Sequence, residues 1–188
     1  MSRPILKRKD IHEAAMKLFV EKGIEGTTTR EIAEAAKAGE GTMFRHYKSK
    51  EDLAWHLFDE NLSRFLAELE EDLAKQSTAK TRIRAMVEKC YVLFETDRTM
   101  CSYLLLSEHT VARQMPNGYK TPNTILVGII EEGQAQGAIG PMDSKLYAAM
   151  VVGAILRVPI YKIYGRIRED LRNLIDPVTD SVWKMIAV

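Results

Sequence analysis

The 188-residue chain has only two cysteines, Cys90 and Cys101, and four histidines. No Cys-x-x-Cys pair or histidine cluster occurs, so neither a disulfide framework nor a zinc site is readable, and the thiols imply a reducing compartment. Long apolar runs are missing too. The longest near-continuous one, Leu146 to Leu156, is well short of the roughly 18 residues of a membrane span, and the basic opening MSRPILKRKD leads into no apolar segment. The expectation is a soluble, cytoplasmic protein without a membrane partner. Net charge is nearly absent: 27 Lys and Arg face 26 Asp and Glu, which argues against a wholly basic packing protein or a disordered tail. There is no phosphate-cradling glycine loop and no nucleophile motif, and HEAAM at His12 to Met16 lacks the second histidine of a zinc-protease helix. No enzyme, cofactor or metal is indicated.

What is present is segregated charge and a helical period. Residues 1–50 hold 11 Lys and Arg against 7 Asp and Glu, whereas residues 51–76 hold 2 against 8. A basic head before an acidic stretch hints at nucleic acid. Ile11, Ala15, Leu18 and Phe19 share one helical face, closed by Gly23. Phe58, Leu62, Phe65, Leu66, Leu69 and Leu73 form a second stripe, and Ile83, Met86, Val87, Cys90, Tyr91 and Phe94 a third. Further helices are expected from about Pro122 to Gln136, from about Ser144 to Tyr164 behind Asp143, and from Asp176-Pro177 to the end. No sustained apolar–polar alternation appears, so the fold class is all-α.

The informative stretch is Gly26 to Leu53, GTTTREIAEAAKAGEGTMFRHYKSKEDL. Thr28 followed by Glu31 is a capping box that opens a short helix. Ala36-Lys37-Ala38-Gly39 reads as a tight turn, and Gly41 to Tyr47 as a second short helix anchored by Met43, Phe44 and Tyr47. Two short helices joined by a tight turn make a helix-turn-helix. Ser49, with Asp52 three residues on, caps the acidic helix and leaves Lys48 and Lys50 at its N-terminus. Cations there oppose the helix dipole, and a phosphate would relieve the conflict.

On these residues the segment from Ala14 to Leu53 resembles the DNA-binding head of the TetR family of bacterial transcriptional regulators. Leu18-Phe19 with Gly23, Thr28-Thr29 with Ile32-Ala33, and Gly41-Thr42 with His46-Tyr47, Lys50 and Leu53 carry the match. The resemblance implies a three-helix head over residues 1–50 and an effector-binding and dimerisation bundle over 51–188. It implies a homodimer that reads a palindromic double-stranded DNA operator, probed by a small effector that releases it, and hence a repressor. Carried over by position, Thr28, Thr29 and Arg30 touch DNA from the supporting helix, and Glu40, Gly41, Thr42, Arg45 and His46 lie on the recognition helix. Tyr47, Lys48 and Lys50 meet phosphates. Three positions depart from the usual pattern. Lys37 stands where many members have glycine and Gly39 where many have serine, so the turn is expected either to differ locally or to hold a non-glycine residue at positive φ, and Phe44 replaces the usual tyrosine. A helical ligand-binding or scaffold protein that no longer binds an operator is the alternative.

In the second half, small residues Ala148, Ala149, Gly153 and Ala154 allow close helix approach and suit a dimer interface with the last helix. Pro159 removes a backbone hydrogen bond and crowds the carbonyl of Ile155, so a kink is expected. An apolar or amphipathic effector is expected among Phe58, Leu62, Phe65, Met86, Cys90, Tyr91, Tyr103, Arg157 and Tyr161. Arg157, behind the run AAMVVGAIL, requires a carboxylate, a carbonyl or a ligand anion if that helix is buried.

Overall fold

The structure, a computed structural model, describes residues 3–188, with side chains from Arg8 onward. Helices account for its regular structure: α1 (Arg3–Lys22), α2 (Thr29–Ala35), α3 (Glu40–Met43), α4 (Lys50–Leu73), α5 (Ala79–Thr96), α6 (Arg98–Val111), α7 (Pro122–Ala135), α8 (Ser144–Ile163) and α9 (Ile175–Ile186). Among the described residues the sole extended pairing is an isolated antiparallel bridge between Ile139 and Ala187. The chain is all-α.

Helix ends follow local chemistry. Gly23 closes α1 at φ +75°, a left-handed conformation that costs glycine little. The buried Thr27 hydroxyl then donates to the Gly23 carbonyl at 2.8 Å, binding the turn to the helix it leaves. Gly26 is required by space, since a Cβ there would sit 2.3 Å from the Lys22 carbonyl oxygen. Asp143 caps α8 by accepting from the Leu146 amide at 2.9 Å. Two boundaries differ from the sequence expectation. The chain breaks at Asp97 (φ −137°, ψ 75°), separating α5 from α6 where the apolar period runs on. The last helix starts at Ile175, out of a 3-10 turn over Leu171–Leu174, so Asp176 and Pro177 occupy its first turn and Asp170 caps the 3-10 turn instead.

Packing divides the chain into two units, residues up to Ser63 with Thr99–Asn117, and Arg64–Arg98 with Gly118–Val188. In the first, Ile11, Ala15 and Phe19 of α1 are buried with Ile32 and Ala33 of α2, Met43 of α3, and Leu53 and Leu57 of α4. Phe19 stacks on Tyr103 of α6, whose hydroxyl donates to the Ala54 carbonyl at 2.5 Å. In the second, α7 packs on α8 and α5 on α9. Its core holds Ile83, Val87, Tyr91, Leu126, Ile130, Val151, Ile155 and Val182. Lys162 and Glu95 pair at 2.6 Å, and the same carboxylate accepts the Leu171 amide at 2.8 Å, tying α5, α8 and the 3-10 turn together.

The eleven-residue apolar run proves to be part of a longer apolar helix. By length and composition α8 reaches what a membrane crossing needs: an 18-residue stretch of it has a mean hydropathy of 1.6, yet only 28% of that stretch is buried within the chain. Tyr147, Ala148, Val151 and Ile155 face inward. Leu146, Ala149, Met150, Gly153, Ala154, Arg157 and Tyr161 are exposed at helical spacing on the other side.

Candidate nucleic-acid interface

The head is built by reciprocal caps. The Thr28 hydroxyl accepts from the Glu31 amide at 3.2 Å, while the Glu31 carboxylate accepts from the Thr28 amide at 2.8 Å and its hydroxyl at 2.9 Å. Lys22 reaches the same carboxylate at 2.6 Å. Hydrogen bonds from Lys22 and then from Thr28 hold the Glu31 carboxyl down to about 2. Thr29 donates to the Glu40 carboxylate at 2.6 Å, which links the first residue of α2 to the first of α3. Arg30 lies open to solvent and pairs with Glu34 at 2.9 Å.

Between these helices Lys37 adopts φ +49°, the one positive-φ residue other than glycine among those described. A left-handed backbone costs an L-residue about 1–2 kcal/mol. The glycine that the family pattern places here is therefore missed, and the turn is made nonetheless: the Ala38 amide donates to the Ala33 carbonyl at 2.9 Å.

The reading helix is shorter than the expected Gly41 to Tyr47. α3 spans Glu40–Met43, and the amides of His46 and Tyr47 both donate to the Met43 carbonyl at 3.0 Å, turning the chain away. Arg45 and His46 thus stand on the turn that follows α3. Met43 and Tyr47 enter the core, as expected, but Phe44 does not: the residue is 50% exposed. Glu40, Gly41, Phe44, Arg45 and His46 share an exposed strip in which Thr42 is half-buried.

Of the three residues expected on phosphates, two are turned inward. Tyr47 is buried, and its hydroxyl lies 2.5 Å from His12 Nε2 and accepts from Arg8 Nε at 3.3 Å. Lys50 donates to the carbonyls of Thr27 at 2.8 Å and Glu25 at 3.2 Å, leaving its side chain 17% exposed. Those carbonyls satisfy the ammonium that the sequence left at a helix N-terminus without a partner. Lys48 is exposed and its side chain makes no ion pair among the described residues, while its amide donates to Asp52 at 2.8 Å. Ser49 completes that cap by accepting the Asp52 amide at 3.1 Å. The latch of Arg8 and His12 onto Tyr47 crosses 35 or more positions and carries no local signal.

The nine residues nominated for an effector divide between the two units. Phe58, Leu62 and Tyr103 are core residues of the first. In the second, Met86, Cys90 and Tyr91 are buried, Phe65 is half-buried, and Arg157 and Tyr161 are exposed. The Arg157 guanidinium lies 4.9 Å from the centre of the Tyr161 ring, with Arg166 at 5.7 Å from the same ring. The condition under which Arg157 would need a carboxylate, a carbonyl or a ligand anion, a buried helix, is therefore not met. Arg157 makes no ion pair among the described residues, because its stretch of α8 faces outward and a tyrosine face serves it there. Among the described residues no group of three or more His, Cys, Asp or Glu could hold a metal ion.

Comparison with known proteins bears on both units. Residues 11–57 match the family model "Bacterial regulatory proteins, tetR family", and residues 58–184 match "YsiA-like protein, C-terminal region". The chain is 29% identical over 154 residues to the Fatty acid metabolism regulator protein of Bacillus subtilis, covering 79% of each. It is 28% identical over 141 residues to the HTH-type transcriptional repressor KstR2 of Rhodococcus jostii, covering 70% of this chain and 67% of that one. A crystal structure of the transcriptional regulator FadR from Bacillus subtilis in complex with stearoyl-CoA superposes with a TM-score of 0.77 at 26% identity, over 93% of this chain and 97% of that one.

Proposed function

This chain belongs to the TetR family of bacterial transcriptional regulators, and from that premise we propose that it is a homodimeric repressor released from a palindromic operator by an amphipathic acyl-type effector. It is a DNA-binding transcriptional regulator. The observation that carries the reading is the exposed strip of Glu40, Gly41, Phe44, Arg45 and His46 on a head closed by capped helices. In this reading Gly41, Thr42, Arg45 and His46 approach base edges, which specify sequence. Thr28, Thr29, Arg30 and Lys48 meet the backbone, which supplies most of the affinity. Tyr47 and Lys50 act from behind, by holding the turn and the start of α4 in place.

The outward face of α8, with Leu146, Ala149, Met150, Gly153 and Ala154, is the proposed dimer surface, extended by Met185 of α9. Small residues let two copies of the helix approach closely, and the two-fold symmetry of such a pair matches a palindromic operator whose half-sites lie about one DNA turn apart, roughly 34–36 Å or somewhat more. Phe65, Met86 and Cys90 of the second unit are the proposed apolar lining for the effector. The stearoyl-CoA bound by the Bacillus subtilis regulator supports an acyl thioester. A hundredfold release requires about 2.7 kcal/mol of coupling, within the usual allosteric range of about 1–3 kcal/mol.

Selection of genomic fragments bound by the full chain, followed by fluorescence anisotropy on the selected duplex, tests the reading. Nanomolar binding to the selected duplex, at least a thousandfold tighter than to random DNA and lost on adding stearoyl-CoA but not stearate, is the expected result. Equal affinity for selected and random duplexes would overturn it.

A further inference from the structure

Seven large apolar side chains are exposed among the described residues, and six of them lie between Leu146 and Val188. The seventh, Phe44, is the sole one in the first unit. Its position is not explained by packing. Met43 and Tyr47 already anchor the recognition segment, being 0% and 4% exposed, and the Phe44 ring makes no aromatic or cation–π contact among the described residues. It caps α3, one turn after the exposed Glu40, with Arg45 and His46 beside it. Next to it Gly41 faces open space, since a Cβ there would meet nothing within 4 Å, so a large partner can come close to the backbone.

A phenyl ring has no polar atom with which to bind a phosphate. What the major groove of DNA offers an apolar side chain is the 5-methyl group of thymine, which distinguishes T·A from the other pairs. We propose that Phe44 is a specificity-determining residue that packs on a thymine methyl in each operator half-site. The proposal rests on the operator-binding reading above and adds a base to it. Contact removes both the half-exposed ring and the methyl from water, a gain available at thymine and absent at cytosine, whose edge presents an amino donor with no methyl.

The test uses the wild-type chain and its selected operator, with each thymine replaced in turn by uracil, a change that deletes only the methyl group. One or two replacements per half-site should weaken binding about fourfold each, the value of burying a single methyl group. The same replacements should have no effect on Phe44→Ala, and Phe44→Ala should keep the wild-type salt slope because no phosphate contact is lost. A Phe44→Leu variant, still apolar, should retain a reduced uracil effect. A scan flat at every thymine, or an unchanged uracil pattern in Phe44→Ala, overturns this inference and leaves operator binding intact. A chain that selects no DNA at all overturns the operator reading and this inference with it.

Discussion

The Tyr91 hydroxyl supplies the hydrogen bond that Pro159 cannot: it donates to the carbonyl of Ile155, four residues before the proline, at 3.2 Å. A proline inside a helix has no N–H, so the carbonyl one turn earlier is left unsatisfied, and a buried unsatisfied carbonyl is costly. Tyr91 is fully buried on α5, and burial pushes its phenol well above the usual tyrosine range, so it stays a donor at any ordinary pH. The pairing lets α8 run to Ile163 with Pro159 inside it.

Tyr91→Phe should therefore cost about 1–3 kcal/mol, the penalty of an unpaired buried polar group. In a chain of this size that lowers Tm by about 2–4 °C per kcal/mol. Adding Pro159→Ala, which restores the backbone donor, should recover most of the loss in a calorimetric double-mutant cycle. Additive effects of the two changes would show that the hydroxyl and the proline do not act on the same carbonyl.

Lys37 should respond to substitution in the reverse order to a normal surface position. At φ +49°, Lys37→Gly relieves left-handed strain and should stabilise by up to about 1 kcal/mol, the relief being partly offset by the freer unfolded chain. Lys37→Val, β-branched at the same φ, should destabilise by more than that gain. Urea midpoints of the three proteins check the order Gly, Lys, Val.

The two lysines at the start of α4 should separate cleanly. Lys48→Ala should weaken operator binding on all sequences and lower the salt slope by about one counterion per head. Lys50→Met should leave that slope unchanged and lower stability by about 1–3 kcal/mol, because its ammonium bonds to the Thr27 and Glu25 carbonyls. Anisotropy at several salt concentrations, paired with thermal melts, reads both. A reduced salt slope for Lys50→Met would place it on a phosphate after all.

Acid should loosen the head through His12. Burial first, and then the charge of Arg8 with His56 and His46, lowers its pKa, against Glu60, which raises it. A histidine depressed in the folded state contributes stability above its unfolded pKa of about 6.5, and that stability is lost as pH falls toward the folded value. Unfolding midpoints should decline from pH 7.5 to 5.5, and His12→Gln, which keeps an acceptor for the Tyr47 hydroxyl 2.5 Å away, should flatten the decline. An identical pH profile in wild type and variant would remove His12 from the account.

Residues acting on near neighbours were legible in the sequence, and those acting across elements were not. Thr28 with Glu31, Ser49 with Asp52, and Asp143 before α8 are caps whose donors lie within three residues, so the chain order alone specified them. The period of 3.6 and the terminating Gly23 likewise determined an all-helical chain, and the spacing from Leu18 to Leu53 determined the family. Which way Tyr47, Lys50, Phe44 and Arg157 point was decided only by tertiary structure. Tyr47, Lys50 and Arg157 are amphipathic and long enough to serve either side of their segments, and for all four the choice depended on what lay opposite: His12 and Arg8 for Tyr47, two turn carbonyls for Lys50, a tyrosine ring for Arg157, open surface for Phe44. The orphan left by Pro159 shows the same division. Its existence follows from the residue type, but the donor that fills it stands 64 positions before Ile155 in the chain and is brought there by the packing of α5 on α8.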